Sequence, residues 1–134
     1  MFHVKHIIYW VFCLFLAFSY GCGEDTIEEN EEPINRILQS RKDIKTAREV
    51  MLIYYEYKWP GTDNDFSIDE EKLPRDRTKV TLIRDNIKDD SMKGEKIMML
   101  VKYDGEKWKV ITIERNWKCY EGRGYSKWGT EPCN

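Results

Sequence analysis

Three aspartates, Asp85, Asp89 and Asp90, fall within the run DNIKDD. Carboxylates held on opposite sides of one substrate bond can work as acid and base. They are therefore the only candidates for a hydrolase or lyase acting on envelope polymers. No spacing between them demonstrates that chemistry, and Asp in a turn-rich stretch more often bends and caps its own backbone. Upstream, Asp63, Asp65, Ser67, Asp69 and Glu71 alternate as ligands do in a calcium loop. That loop needs Gly at its sixth position and Glu at its twelfth, where Ile68 and Pro74 stand. No metal or cofactor is expected. Both histidines, His3 and His6, lie at the extreme N-terminus. If that segment is removed, no imidazole remains for Ser-His-Asp or Cys-His catalysis or for the common zinc sites. No catalytic residue is assigned.

The remaining chemistry-bearing cluster is the C-terminal tail, CYEGRGYSKWGTEPC, with Cys119 and Cys133 at its ends. Of four cysteines, Cys13 belongs to the leader and Cys22 to its boundary, which leaves Cys119 and Cys133 as a pair in an oxidising compartment. A bond between them closes a 15-residue loop, worth about 3 kcal/mol on chain-entropy grounds. Gly122, Gly124 and Gly129 permit tight turns inside it. Arg123, Tyr125, Lys127 and Trp128 supply the aromatic and cationic groups that dominate binding hot spots. The same rings can instead form a small satellite core under the disulfide.

The segments that must carry this tail begin with a leader. Residues 1–21 combine Lys5 with an apolar run, Ile7–Tyr20, too short to span a bilayer but suited to a secretory signal. The run ends Ser19-Tyr20-Gly21-Cys22, which resembles a bacterial lipobox. Cys22 is the expected acylation site. It would anchor the chain to the cell envelope by lipid, facing the periplasm or the exterior. Residues 22–32 contain six acids and no base, which predicts a self-repelling, solvated tether of roughly 17 Å reach. A single domain is expected over 33–134. From Pro33 onward 21 basic residues stand against 18 acidic ones, too slight an excess for nucleic-acid binding.

Within that domain, Pro33 and the apolar spacing that follows predict a helix over 34–42. Thr46-Ala-Arg-Glu49 reads as a capping box for a second helix over 47–57. The aromatic, β-branched composition of VMLIYYEYKW also suits a strand; the box and the Pro60-Gly61 stop favour helix. Residues 60–77 read as a polar connection. Strands are expected at 78–84, 95–103 and 106–118, the last two joined by a two-residue turn at Asp104-Gly105. That turn would pair Tyr103 with Glu106, Val101 with Trp108, Met99 with Val110 and Ile97 with Thr112 on one core face. The expected fold is α+β: N-terminal helices on an antiparallel sheet of three or more strands, with a disulfide-closed tail, in the helix-then-sheet order of small cystatin-like or NTF2-like domains.

From Lys79 to Cys133 the elements V-T-L-I-R-D-N, D-D-S-M, W-K-V and C-Y-E-G-R-G-Y…W-G-T-E-P-C resemble a group of small exported bacterial proteins of uncharacterised function. In that group a His often follows the G-R-G, where Tyr125 stands here. The resemblance implies export and a disulfide, and no activity. The functional expectation is a non-enzymatic envelope lipoprotein that binds an envelope protein or polymer, with the carboxylate hydrolase or lyase as the alternative.

Overall fold

A computed structural model describes residues 23–134; the leader and Cys22 lie outside the described residues. The elements run β1 (Ile27–Glu29), α1 (Glu32–Gln39), α2 (Ala47–Lys58), β2 (Ser67–Leu73), β3 (Arg77–Asp85), β4 (Met92–Tyr103) and β5 (Trp108–Cys119). The strands form one antiparallel sheet in the order β1-β5-β4-β3-β2. The fold is therefore α+β, as expected, but two of its five strands were not foreseen. Among the described residues no helix is long and apolar enough to cross a membrane.

The helical reading of 47–57 holds. Thr46 accepts from the Glu49 N–H, and the Glu49 carboxylate accepts from the Thr46 N–H, closing the capping box. Val50, Met51, Tyr54 and Tyr55 then pack against Val80, Leu82, Ile97 and Met99 of the sheet. Ile34 and Leu38 of α1 enter the same core. Helix formation here follows burial as much as propensity: of the aromatic residues that suit a strand, Tyr54 and Tyr55 are buried in the core and Trp59 packs against it, while Tyr57 is exposed.

The hairpin register differs from expectation. A two-residue type I′ turn needs φ > 0 at both central positions, and only Gly105 has it, at 95°. The Asp104 carboxylate instead accepts from the N–H groups of Glu106 (2.8 Å) and Lys107 (2.7 Å), while its own N–H donates to the Lys107 carbonyl. The loop becomes Asp104–Lys107, so Tyr103 faces Trp108 and Val101 faces Val110. This slip of two residues preserves the faces, because side chains alternate with a period of two. A bulge at Ile111 then changes them: Met99 faces Ile113 and Ile97 faces Arg115. Ile113, not Thr112, is the fully buried residue.

The tether reading of 22–32 is corrected for its described residues, 23–32, since β1 pairs with residues 113–115 of β5. Two acids of this stretch have basic partners brought in from elsewhere. Glu29 accepts from Lys58 (2.7 Å) and Arg115 (3.0 Å), and Glu24 from Lys96 (2.5 Å). Arg115 also reaches Glu95 (2.8 Å), which is 3% exposed and lies beside Arg84 as well. Composition registers only the repulsion within the stretch; the partners come from α2, β4 and β5.

The segment 60–77, read as a connection, contains β2. Its register sends Ser67, Asp69 and Glu71 to the exposed side, and Ile68 is only half-buried. An edge strand bearing charges is protected against further pairing but hides its alternation. The opposite edge is sealed piece by piece. Asn35 bonds both the N–H (2.8 Å) and the C=O (2.9 Å) of Val110, β1 covers 113–115, and the tail covers Trp117 and Cys119.

Candidate interaction surface

The tail is held by covalent, backbone and packing contacts. Cys119 and Cys133 are bonded, with Cα atoms 5.5 Å apart. Trp117 and Gly129 exchange two backbone hydrogen bonds, and the Cys119 N–H donates to the Tyr125 carbonyl. The tail thus continues the line of β1 along the free edge of β5. The Trp117 indole N–H donates to the Glu131 carbonyl at 2.8 Å, and the Tyr120 hydroxyl to the Ile87 carbonyl at 2.7 Å.

Trp128 reaches back over the sheet face that the helices leave open. Lys96 and Lys118 place their ammonium groups 4.5 and 4.7 Å from its ring centroid. Gly94 is the floor of this arrangement. A Cβ there would lie 2.7 Å from the Lys118 chain, 3.0 Å from the Trp128 ring and 3.2 Å from the Arg84 carbonyl. Both lysines are occupied, Lys96 by Glu24 and Lys118 by Asp85 at 3.0 Å. Hydrogen bonding from Lys96 holds the Glu24 carboxyl below its usual range, and hydrogen bonding from Lys118 does the same for Asp85. The buried Asn116 amide adds bonds to Glu24 (3.1 Å) and to the Asp25 carbonyl (3.2 Å).

Where the N-terminal segment and the tail meet, they enclose an open groove of about 640 Å³. One wall is Gly23, Glu24 and Asp25; the other is formed by 125–131, with Lys118 between them. Of the four residues expected to bind, Tyr125, Lys127 and Trp128 line this groove. Tyr125 is 43% exposed, Lys127 is exposed and Trp128 is half-buried. Arg123 is exposed in the same closed loop but does not line the groove. The recognition and packing readings of the tail therefore divide by residue: Trp128 packs on one side and faces the groove on the other, whereas Tyr125 and Lys127 present themselves outward.

The three aspartates of the enzymatic alternative do not share a cavity. Asp85 lines a separate hollow of about 230 Å³ with Asp63, Asp65 and Arg84. Asp89 accepts from the N–H groups of Ser91 and Met92, both at 2.9 Å, and these bonds lower its pKa. Asp90 is exposed outside both hollows. Among the described residues no group of three His, Cys, Asp or Glu side chains is placed to hold a metal ion.

Sequence reasoning missed Lys96, Lys118, Glu24 and Gly94 as parts of this surface. One signal was present: a lone Gly inside a strand pattern marks a close approach of another group. No protein-family model, curated protein or solved structure matches the chain.

Proposed function

We propose that this chain is a non-enzymatic lipoprotein of the bacterial envelope, anchored through acylated Cys22, whose disulfide-closed tail is an interaction surface. The observation that carries the reading is the groove between 23–25 and 125–131, with Tyr125 and Lys127 presented from a loop tied at both ends. A loop held by a bond and by backbone pairing loses little entropy on binding. Its Tyr and Trp offer broad amphipathic contact area, and its Lys a charge-assisted donor. The export and disulfide implied by the resemblance to small exported bacterial proteins agree with this reading.

The test pairs binding with stability. Tyr125→Ala and Lys127→Ala are expected to abolish association of envelope components, phospholipid included, with the membrane-extracted protein while melting within a few degrees of the parent, because both side chains are outward. Full retention of every component by both variants rules the tail out as the interaction surface. An unmodified Cys22 in intact mass spectrometry rules out the anchor.

A further inference from the structure

The groove has one wall built from the residues that directly follow the expected anchor. Gly23 lines it and is joined covalently to Cys22. Consecutive Cα atoms are 3.8 Å apart, so an anchor at Cys22 would act one peptide bond from that wall. A solvated tether would have uncoupled the two. Here Glu24 is bonded to Lys96 and Asn116, the Asp25 carbonyl to Asn116, and Ile27–Glu29 to β5, so the chain is docked from its second described residue.

We propose that the tail groove faces the membrane, and that its occupant is the phospholipid headgroup layer into which Cys22 is anchored. The proposal rests on the acylation of Cys22. Diacylation would place the Cys22 sulfur at the boundary between acyl chains and headgroups, and the headgroup layer is only roughly 5–8 Å deep on each side of a bilayer. Gly23 and the wall it forms must then lie in or directly on that layer. The opposite wall presents the side chains that suit it: the amphipathic rings of Tyr125 and Trp128 prefer the membrane interface, and Lys127 can donate to lipid phosphates.

The charges define how the surface works. Glu24 and Asp85 already engage Lys96 and Lys118. The rim carries Asp25 and Glu131 as well as Lys127. This is not a polycationic patch, so it does not supply the membrane affinity; the acyl chains do. The groove selects an orientation, with the long axis of β4 leading away from the bilayer. Lys102, exposed near the far end of β4, is eight residues from Gly94, roughly 26 Å at about 3.3 Å per residue. The orientation should accordingly be insensitive to salt.

Full-chain protein, isolated from membranes and reconstituted into phosphatidylethanolamine vesicles doped with phosphatidylglycerol, decides the matter. Mass spectrometry first reports whether Cys22 is acylated. Amine acetylation is then timed at Lys127 and Lys102. Lys127 is expected to react several-fold more slowly than Lys102, at low and high salt alike. In parallel, brominated phospholipids are expected to quench the protein's fluorescence, with most of the quenching lost in Trp128→Phe and retained in Trp108→Phe. The labelling needs no substitution, so it stands even if Trp128→Phe does not fold. An unacylated Cys22 removes the anchoring reading and this proposal with it. An acylated Cys22 with equal rates at the two lysines overturns the orientation alone, and leaves the groove to a soluble envelope polymer or protein.

Discussion

The two faces of the sheet are covered by different means. On one, α1 and α2 lay Ile34, Leu38, Met51, Tyr54 and Tyr55 over Val80, Leu82, Ile97 and Met99, an apolar contact closed to water. On the other, one end is covered by Trp128 and the segment 23–25, held through Lys96, Lys118, Asn116 and the disulfide. Apolar burial is non-directional and involves no group that titrates. Ion pairs at a partly exposed surface are weak and conditional. The first face therefore makes the domain, while the second makes a surface that perturbation can open without unfolding the rest.

The sharpest test of this asymmetry is a cavity in the helix-covered face. Ile97→Ala removes a side chain with no solvent exposure. It is expected to lower unfolding free energy by about 2–5 kcal/mol, the range for such truncations. A shift below 1 kcal/mol in chemical denaturation would mean that this face is not the stabilising one.

Replacing both Cys119 and Cys133 by Ser is expected to cost about 3 kcal/mol. The loss should concentrate in the tail, so hydrogen exchange at Cys119, Gly129 and their neighbours should rise before exchange in β3 and β4 does. A uniform rise across the sheet would tie the tail to the core instead.

Gly94→Ala inserts a methyl between Lys118, Trp128 and the Arg84 carbonyl. An overpacked site of this kind costs about 1–3 kcal/mol. The tightest contact is with the flexible end of Lys118, which itself lies over the Trp128 ring, so both side chains are expected to shift. The Trp128 indole NMR signal should move toward a solvent-exposed position while those of Trp59 and Trp108 stay in place. An unmoved Trp128 signal would show that Lys118 or the sheet backbone yields instead.

The smallest effect is that of pH. Glu24 and Glu29 are held below their ordinary value of 4.5 and Asp85 below 3.8. Glu24 and Asp85 owe this to hydrogen bonds from lysines; at Glu29 burial opposes it, but Lys58 and Arg115 prevail. A carboxylate depressed on folding contributes stability that is present above its unfolded pKa and lost as pH falls through its folded one. Docking of 23–29 should therefore weaken below about pH 4, by under about 1 kcal/mol for each exposed pair. Residues 23–134 hold no histidine, so a flat profile is expected between about pH 5 and 8. A transition in that window, followed by NMR of Gly23 and Asp25, would contradict the assignment of these pairs.

Sequence reasoning was strongest where one residue's chemistry acts on its immediate neighbours. The capping box at Thr46 and Glu49 needs only residues three apart, and it was legible. So were the strands 78–84 and 95–103, whose alternation reports one buried face, and the Cys119–Cys133 pair, once the other cysteines were assigned elsewhere. Arg123, Tyr125, Lys127 and Trp128 lie in the disulfide-closed loop, and three of them line the groove.

Tertiary structure alone decided the rest. Residues 23–29 looked like a repelling acidic run because their cations, Lys58, Lys96 and Arg115, are far away in sequence. β2 looked like a loop because an edge strand exposes most of its side chains. The hairpin register turned on the Asp104 side chain replacing a two-residue turn, and on one extra residue at Ile111. The groove itself joins residues 23–25 to 125–131, about a hundred positions apart. Local pattern reports which way a side chain faces. Which distant charge, edge or glycine it meets is set only when the sheet closes.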